Sequence, residues 1–282
     1  MSANQERPDT AGLLDLDSVS KFYRGRGRGR PPAKLAVNAV SFRIEPGASL
    51  GLIGQSGSGK TTLARLITGI DKPTSGAIRL GETRVDLLNR RELRSYRRSV
   101  QFVFQDPYAA LNPASSIGYI LTRPLANHAG VTRGAVDSHV RDLLAKVGLT
   151  PPEQFMSKFP HQLSGGQRQR VVIARALASK PRLIVADEPV SMLDVSLRAG
   201  ILRLLSELRE TDGISLLYIT HDLLSARAVA DELIVLQEGR VVEHGPARQV
   251  LQYPAHEYTR RLIDAVPRPA SHPTFGAPVQ PG

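Results

Sequence analysis

Nine consecutive residues, Gly54-Gln55-Ser56-Gly57-Ser58-Gly59-Lys60-Thr61-Thr62, stand between an apolar segment and a helix-forming one. They satisfy G-x-x-x-x-G-K-[S/T], a loop that wraps phosphate. The glycines let backbone N–H groups converge on an anion, Lys60 adds a point charge, and the Thr61 hydroxyl suits a Mg²⁺ ion. A second segment, Ser164-Gly165-Gly166-Gln167, has the composition of another oxyanion site. Its glycines allow close backbone approach, and Ser164 offers a hydroxyl donor. The helix expected over 167–178 points its positive end at the same anion. Two phosphate-binding devices in one chain point to a nucleotide held between two surfaces.

The apolar run Leu183-Ile184-Val185-Ala186 ends in Asp187 and Glu188. Asp187 can hold water on a Mg²⁺ ion, and Glu188, one residue on, can orient or deprotonate an attacking water. An acidic pair after a strand could equally cap the next turn. Standing 23 residues after Ser164, with a phosphate loop upstream, this pair becomes a strong signal.

These residues need elements to position them. Leu13 to Val19 alternates as a half-exposed strand does, and strands are expected over 36–44 and 49–53 with Pro46-Gly47 as their turn. Helix 60–68 follows and ends at Gly69. Further strands fall at 77–80 and 100–104, separated by a helix bearing Arg90, Arg91, Arg94, Arg97 and Arg98, expected to be solvated. From 106 to 166 the pattern turns to Pro, small residues and then a helical stripe of Val136, Val140, Leu143, Leu144 and Val147, the mark of a helical insertion. Strand 183–186, an amphipathic helix 196–210 with Leu197, Ile201, Leu204, Leu205 and Leu208 on one face, and strand 214–220 follow. A hairpin of 233–236 and 240–243 turns at Glu238-Gly239. Alternating strands and helices predict a mainly parallel α/β sheet covered on both faces.

Composition sets outer limits. The 282 residues can bury a large core, and 41% are apolar, which excludes general disorder. A net charge of +11 suits an anionic partner, whether nucleotide, nucleic acid or membrane surface. With no cysteine there are no disulfides and no thiolate-held metal cluster. No apolar run reaches the roughly 18–20 residues that span a bilayer, and the polar start is not that of a signal peptide. Residues 1–11 are expected to be a loose tail, 24–30 a basic Arg-Gly surface loop, and the last 15 residues irregular.

Taken together, the motifs resemble the ATP-binding subunits of ABC transporters over residues 13–265. The resemblance implies a P-loop NTPase (RecA-like) α/β core at about 12–105 and 167–245, with an antiparallel β subdomain. It also implies an inserted helical subdomain at about 106–166 and a C-terminal extension over 246–282. In its terms Walker A is 54–62, the signature 163–167 and Walker B 183–188. Gln105 corresponds to the Q-loop glutamine that touches Mg²⁺, and Asp194 lies in a D-loop where Met192 replaces the usual alanine. His221 corresponds to the switch histidine that contacts the γ-phosphate, and Tyr23 to the ring that stacks on adenine. The segment Val103 to Pro113 looks like the dipeptide, oligopeptide and nickel importer branch. So does Ala255 to Arg260, although Glu257 replaces that branch's proline.

What the resemblance implies is a motor that binds ATP and Mg²⁺. Two such subunits pair head-to-tail, each ATP lying between one P-loop and the other subunit's Ser-Gly-Gly-Gln turn. Partners would be transmembrane permease subunits, a second ATPase subunit (a heterodimer favoured over a homodimer) and, indirectly, an external solute-binding protein. The site would lie on the cytoplasmic face of the inner membrane. The rival reading, a soluble ABC-type ATPase acting on nucleic acid or ribosomes, draws on the basic loop and the charge. It lacks the second ATPase domain, coiled coils or zinc modules usual for that class, and no nucleic-acid partner is expected.

Overall fold

The computed structural model describes residues 12–24, 34–128 and 133–265. The expected tail 1–11, the Arg-Gly loop beyond Arg24 and the Pro-rich end fall outside the described residues.

Two sheets carry the chain. Strands β1 (Leu14–Tyr23) and β2 (Lys34–Ile44) pair antiparallel. After the turn at Pro46-Gly47 comes β3 (Ser49–Ile53), then helix α1 (Lys60–Ile67), which stops where Gly69 takes φ 65°. Strands β4 (Ser75–Leu80) and β5 (Thr83–Arg84) complete an antiparallel sheet ordered β2-β1-β4-β5. Helix α2 (Arg90–Ser99) is closed by a capping box between Asn89 and Glu92, with its arginines exposed as expected. It leads into β6 (Val100–Val103), one residue shorter than expected, so that Phe104 lies outside the ladder.

Among the described residues the α-helices that follow are α3 (Pro107–Ala110), α4 (Ile117–His128), α5 (Val136–Lys146), α6 (Glu153–Met156) and α7 (Gly165–Leu177). Next come β7 (Leu183–Asp187), α8 (Val195–Asp212), β8 (Ser215–Thr220) and α9 (Leu223–Val229). The chain then forms the hairpin β9 (Glu232–Gln237) and β10 (Arg240–Pro246). Helices α10 (Ala247–Gln252) and α11 (Glu257–Asp264) end the described chain. The second sheet runs β10-β9-β3-β8-β7-β6, parallel except for β10.

That sheet divides the core. Ile184, Ala186, Leu216 and Tyr218 face one cluster, shared with α4, α5, α7 and α8. The intervening Leu183, Val185, Leu217 and Ile219 face the other, shared with α1 and the antiparallel sheet. Burial on both faces is why β3, β7 and β8 are apolar without alternation. The helical stripe also behaves as expected: Val136, Val140, Leu144 and Val147 are buried in the first cluster, with Leu143 packed against it. In α8, Leu197 is 39% exposed while Ile201, Leu204, Leu205 and Leu208 are buried. Standing in the first turn, Leu197 leans on the Gly166 backbone rather than the core, within 3.3 Å of where a Cβ on Gly166 would lie.

Gly51, at the centre of β3, lets the sheet close. A Cβ there would lie 2.4 Å from Leu233 Cδ2 and 3.1 Å from the Ala230 Cβ. Gly51→Val is therefore expected to destabilise the fold by about 1–3 kcal/mol through overpacking, seen as a lower urea midpoint at unchanged m-value.

Candidate active site

Register decides where the chemistry collects. Ile53 pairs with Thr220, and Ile219 with Asp187, so β3, β8 and β7 end level. The loops that leave these ends carry Gly54, His221 and Glu188. Ligands of open parallel sheets bind at such carboxyl ends. A cleft of about 850 Å³ lies there, walled by 54–57 and 59–62 of the phosphate loop together with Gln105, Asp187, Glu188 and His221.

The loop is set by its glycines as much as by its charge. A Cβ on Gly54 would stand 2.3 Å from the Leu236 carbonyl, and one on Gly59 2.4 Å from the Ala36 carbonyl, both at positive φ. These two glycines seat the loop against β9 and β2. Lys60 is 6% exposed, and its Nζ donates to the carbonyls of Gly54 (2.6 Å) and Gln55 (2.9 Å). Burial pushes the Lys60 ammonium below the usual lysine range, against the pull of Glu188 and Asp187. Asp187 is 8% exposed. Burial raises its carboxyl above the usual carboxylate range, and Glu188 adds to this, while a hydrogen bond from Thr61 and the charge of Lys60 oppose it. A buried carboxylate beside a threonine hydroxyl, both hard oxygen donors, fits a small divalent cation.

Glu188 is the point of convergence. Its backbone sits at φ 48°, held by its N–H donating to the Ile219 carbonyl at 2.8 Å. Non-glycine residues seldom adopt this conformation, and such strain collects at functional sites. It turns the side chain into the cleft, where Oε1 meets His221 Nδ1 at 2.8 Å and Oε2 accepts from Gln105 Nε2 at 3.4 Å. An ionised Glu188 can only accept, so this contact requires the His221 proton on Nδ1. Three residues separated by 83 and 33 positions in sequence thus meet at one carboxylate.

The second phosphate device stands elsewhere. Ser164 is the N-cap of α7; its Oγ accepts from the Gln167 N–H (3.3 Å), and its own N–H donates to Gln167 Oε1 (3.0 Å). Gln167 therefore closes a capping box, a use carried by the Ser-x-x-Gln spacing and additional to the oxyanion role expected of the segment. Gly165 and Gly166 form the first turn, pressed against Leu193 and Leu197, and none of Ser164, Gly165, Gly166 or Gln167 lines the cleft. Asp194, N-cap of α8 with no side-chain cap bond, is exposed and also outside the cleft. Tyr23 ends β1; its hydroxyl donates to Asp71 at 3.1 Å, and Lys21 Nζ lies 5.1 Å from its ring centre. Lys34, Leu262 and Ala265, absent from the sequence motifs, also line the cleft. Lys34 opens β2, four residues after the end of the basic loop, but Leu262 and Ala265 belong to a distant helical segment whose docking leaves no local signal.

A family model described as ABC transporter matches residues 37–191. The chain belongs to the ABC transporter family. It is an ATP-binding, ATP-hydrolysing subunit built on the P-loop NTPase fold. It is 44% identical over 260 residues to the probable peptide ABC transporter ATP-binding protein y4tS of Sinorhizobium fredii, covering 91% of this chain and 73% of that one. It is 41% identical over 259 residues to the di/tripeptide transport ATP-binding protein DppF of Pseudomonas aeruginosa, covering 92% and 79%. Among solved structures, the ATP-binding cassette MJ0796, a dimer in a post-hydrolysis state bound to ADP and Pi, matches with a TM-score of 0.74 at 34% identity. That match covers 83% of this chain and 99% of that one.

The buried Asp187 yields a pH-dependent prediction. A carboxyl whose folded-state pKa is raised costs stability as pH climbs from its unfolded value of 3.8 through the folded value. Without nucleotide, Asp187→Asn is expected to melt no lower than the native chain at about pH 7, any advantage shrinking toward about pH 4. Thermal melts across that range check it.

Proposed function

We propose that this chain is the motor subunit of an importer of peptides or related small solutes, working in a pair of ATPase subunits glued by ATP. The observation that carries the reading is the separation of its two phosphate devices. The Lys60 loop and Glu188 share one cleft, while the Ser164 turn stands outside it. A single chain cannot close both devices on one nucleotide, but a head-to-tail pair can. The names of the relatives favour transport over action on nucleic acid or ribosomes, and peptides as cargo.

In this reading Gly54 to Thr62 hold the phosphates, with Lys60 leaving its loop carbonyls for them. Ser164 to Gln167 and Asp194 act on the partner's nucleotide, and Tyr23 stacks on the adenine. Glu188 takes the proton of the attacking water, oriented by His221 and Gln105. Thr61, Gln105 and Asp187 would hold Mg²⁺, which supplies charge neutralisation at the phosphates when bound. The helical region 106–166 moves as the pair closes, while 12–105 and 167–245 form the nucleotide-binding core and 246–282 a C-terminal extension.

Permease subunits would dock at a second cleft of about 650 Å³, where Phe102, Phe104 and Tyr119 stand among Arg97, Arg123 and Arg175. No helix among the described residues is long and apolar enough to cross a membrane, so attachment at the cytoplasmic face would run through that permease. An external solute-binding protein would act indirectly. A heterodimer is favoured over a homodimer by the branch to which the motifs belong.

Two substitutions test the reading. Glu188→Gln is expected to retain ATP, lose about 10²–10⁴-fold in kcat, and accumulate as nucleotide-bound pairs in size-exclusion chromatography. Native turnover in that variant would remove Glu188 from its role. Lys60→Ala is expected to weaken ATP binding about 10–100-fold, the loss of charge-assisted hydrogen bonds worth about 1.5–3 kcal/mol. Equilibrium titration with a fluorescent ATP analogue reads it.

A further inference from the structure

We infer that α11 is a strap across the phosphate loop and that Tyr258 is a positioning residue for ATP binding, an inference that rests on the ATPase reading of the cleft. Tyr258 is 5% exposed, and its ring packs in an apolar cluster with Ile53, Leu233 and Val250. Ile53 is the last residue of β3, directly before the loop. From this cluster the Tyr258 hydroxyl reaches the loop and accepts the Gln55 N–H at 3.0 Å.

That N–H belongs to the peptide unit joining Gly54 to Gln55. The carbonyl of the same unit, on Gly54, accepts from Lys60 Nζ at 2.6 Å. A peptide is planar, and in its trans form the N–H and C=O point in opposite directions. Tyr258 and Lys60 therefore grip the two ends of one rigid plate. The next carbonyl, on Gln55, accepts from both Lys60 Nζ (2.9 Å) and the Ser58 N–H (3.2 Å). Without the tyrosine hydroxyl the plate can rotate, and the carbonyls that steer Lys60 rotate with it.

The helix carrying Tyr258 is itself pinned. Glu243 on β10 accepts the N–H groups of Ala255 (2.8 Å) and His256 (3.1 Å), and His256 Nδ1 accepts the Tyr258 N–H at 3.1 Å as the N-cap of α11. Further along, Leu262 and Ala265 form part of the cleft wall. The strap thus runs from a carboxylate anchor, over the start of the loop, to the rim of the nucleotide site. Tyr258 enters binding through loop geometry at Gln55, while the hydrogen bonds gathered at Glu188 come from His221 and Gln105, so the tyrosine should act on affinity rather than on the chemical step.

The test compares the native full chain with Tyr258→Phe, which keeps the ring and removes the hydroxyl, by ATP titration of the subunit and by ATP hydrolysis in the assembled transporter. Tyr258→Phe is expected to raise both the Kd and the KM for ATP about three- to tenfold, with kcat within about twofold of native and an unchanged melting temperature. Glu243→Ala, which frees the start of α11 without touching the loop, is expected to shift KM in the same direction. A merely structural role would not separate KM from kcat. Affinity for ATP unchanged in Tyr258→Phe would overturn the inference, as would a fall in kcat at native KM. A native chain that bound ATP without hydrolysing it in the assembled transporter would count against the ATPase reading, and the affinity comparison would still decide the strap.

Discussion

The parallel pairing of β3, β8 and β7 is the constraint on which the site depends. Its hydrogen-bond ladder brings Ile53, Thr220 and Asp187 to one edge, and the three loops leaving that edge need only a few residues to place Lys60, His221 and Glu188 together. The ladder is held by cores on both faces of the sheet, which makes the edge rigid. A one-residue slip of β7 would exchange the residue sets facing the two clusters, so both close-packed cores would have to refit side chains of different volume.

That rigidity permits local strain. Glu188 holds a backbone conformation costing on the order of 1–3 kcal/mol for a non-glycine residue. One hydrogen bond to the Ile219 carbonyl and the Ser191 contacts to the Glu188 carbonyl stabilise the bend. The result is a carboxylate presented to His221 and Gln105 from two other elements. Lys60 and Asp187 are likewise held in less than their preferred surroundings, each shifted by burial away from its charged form. In the proposed function, a ligand bringing negative phosphate and positive metal would relieve charges that the protein has already desolvated.

The geometry also explains why, in the proposed pairing, one subunit is incomplete. The Ser164 turn is capped by Gln167 and leans on Leu193 and Leu197, a surface formed by α7 and the start of α8 outside the cleft of the Lys60 loop. Nucleotide would join such surfaces between chains. Binding would then become a change of assembly, with the γ-phosphate as the differential contact that biases it.

Much of this was legible in the residue order. The phosphate loop, the acidic strand end, the hairpin turn at Glu238-Gly239 and the helical stripe of 136–147 are local patterns, and local patterns encode backbone geometry and facing. The length of β1, the exposure of Leu197 and the helices α9 to α11 were not, because each is settled by what packs against it. By itself the sequence determined which groups could bind phosphate and activate water against it, since those demands fall on residue types at short spacing. Only the tertiary structure decided which of them meet, and that Tyr258, 203 positions away, holds the loop at Gln55. Such contacts arise from the closing of apolar clusters across the whole chain, and no short stretch of residues carries that information.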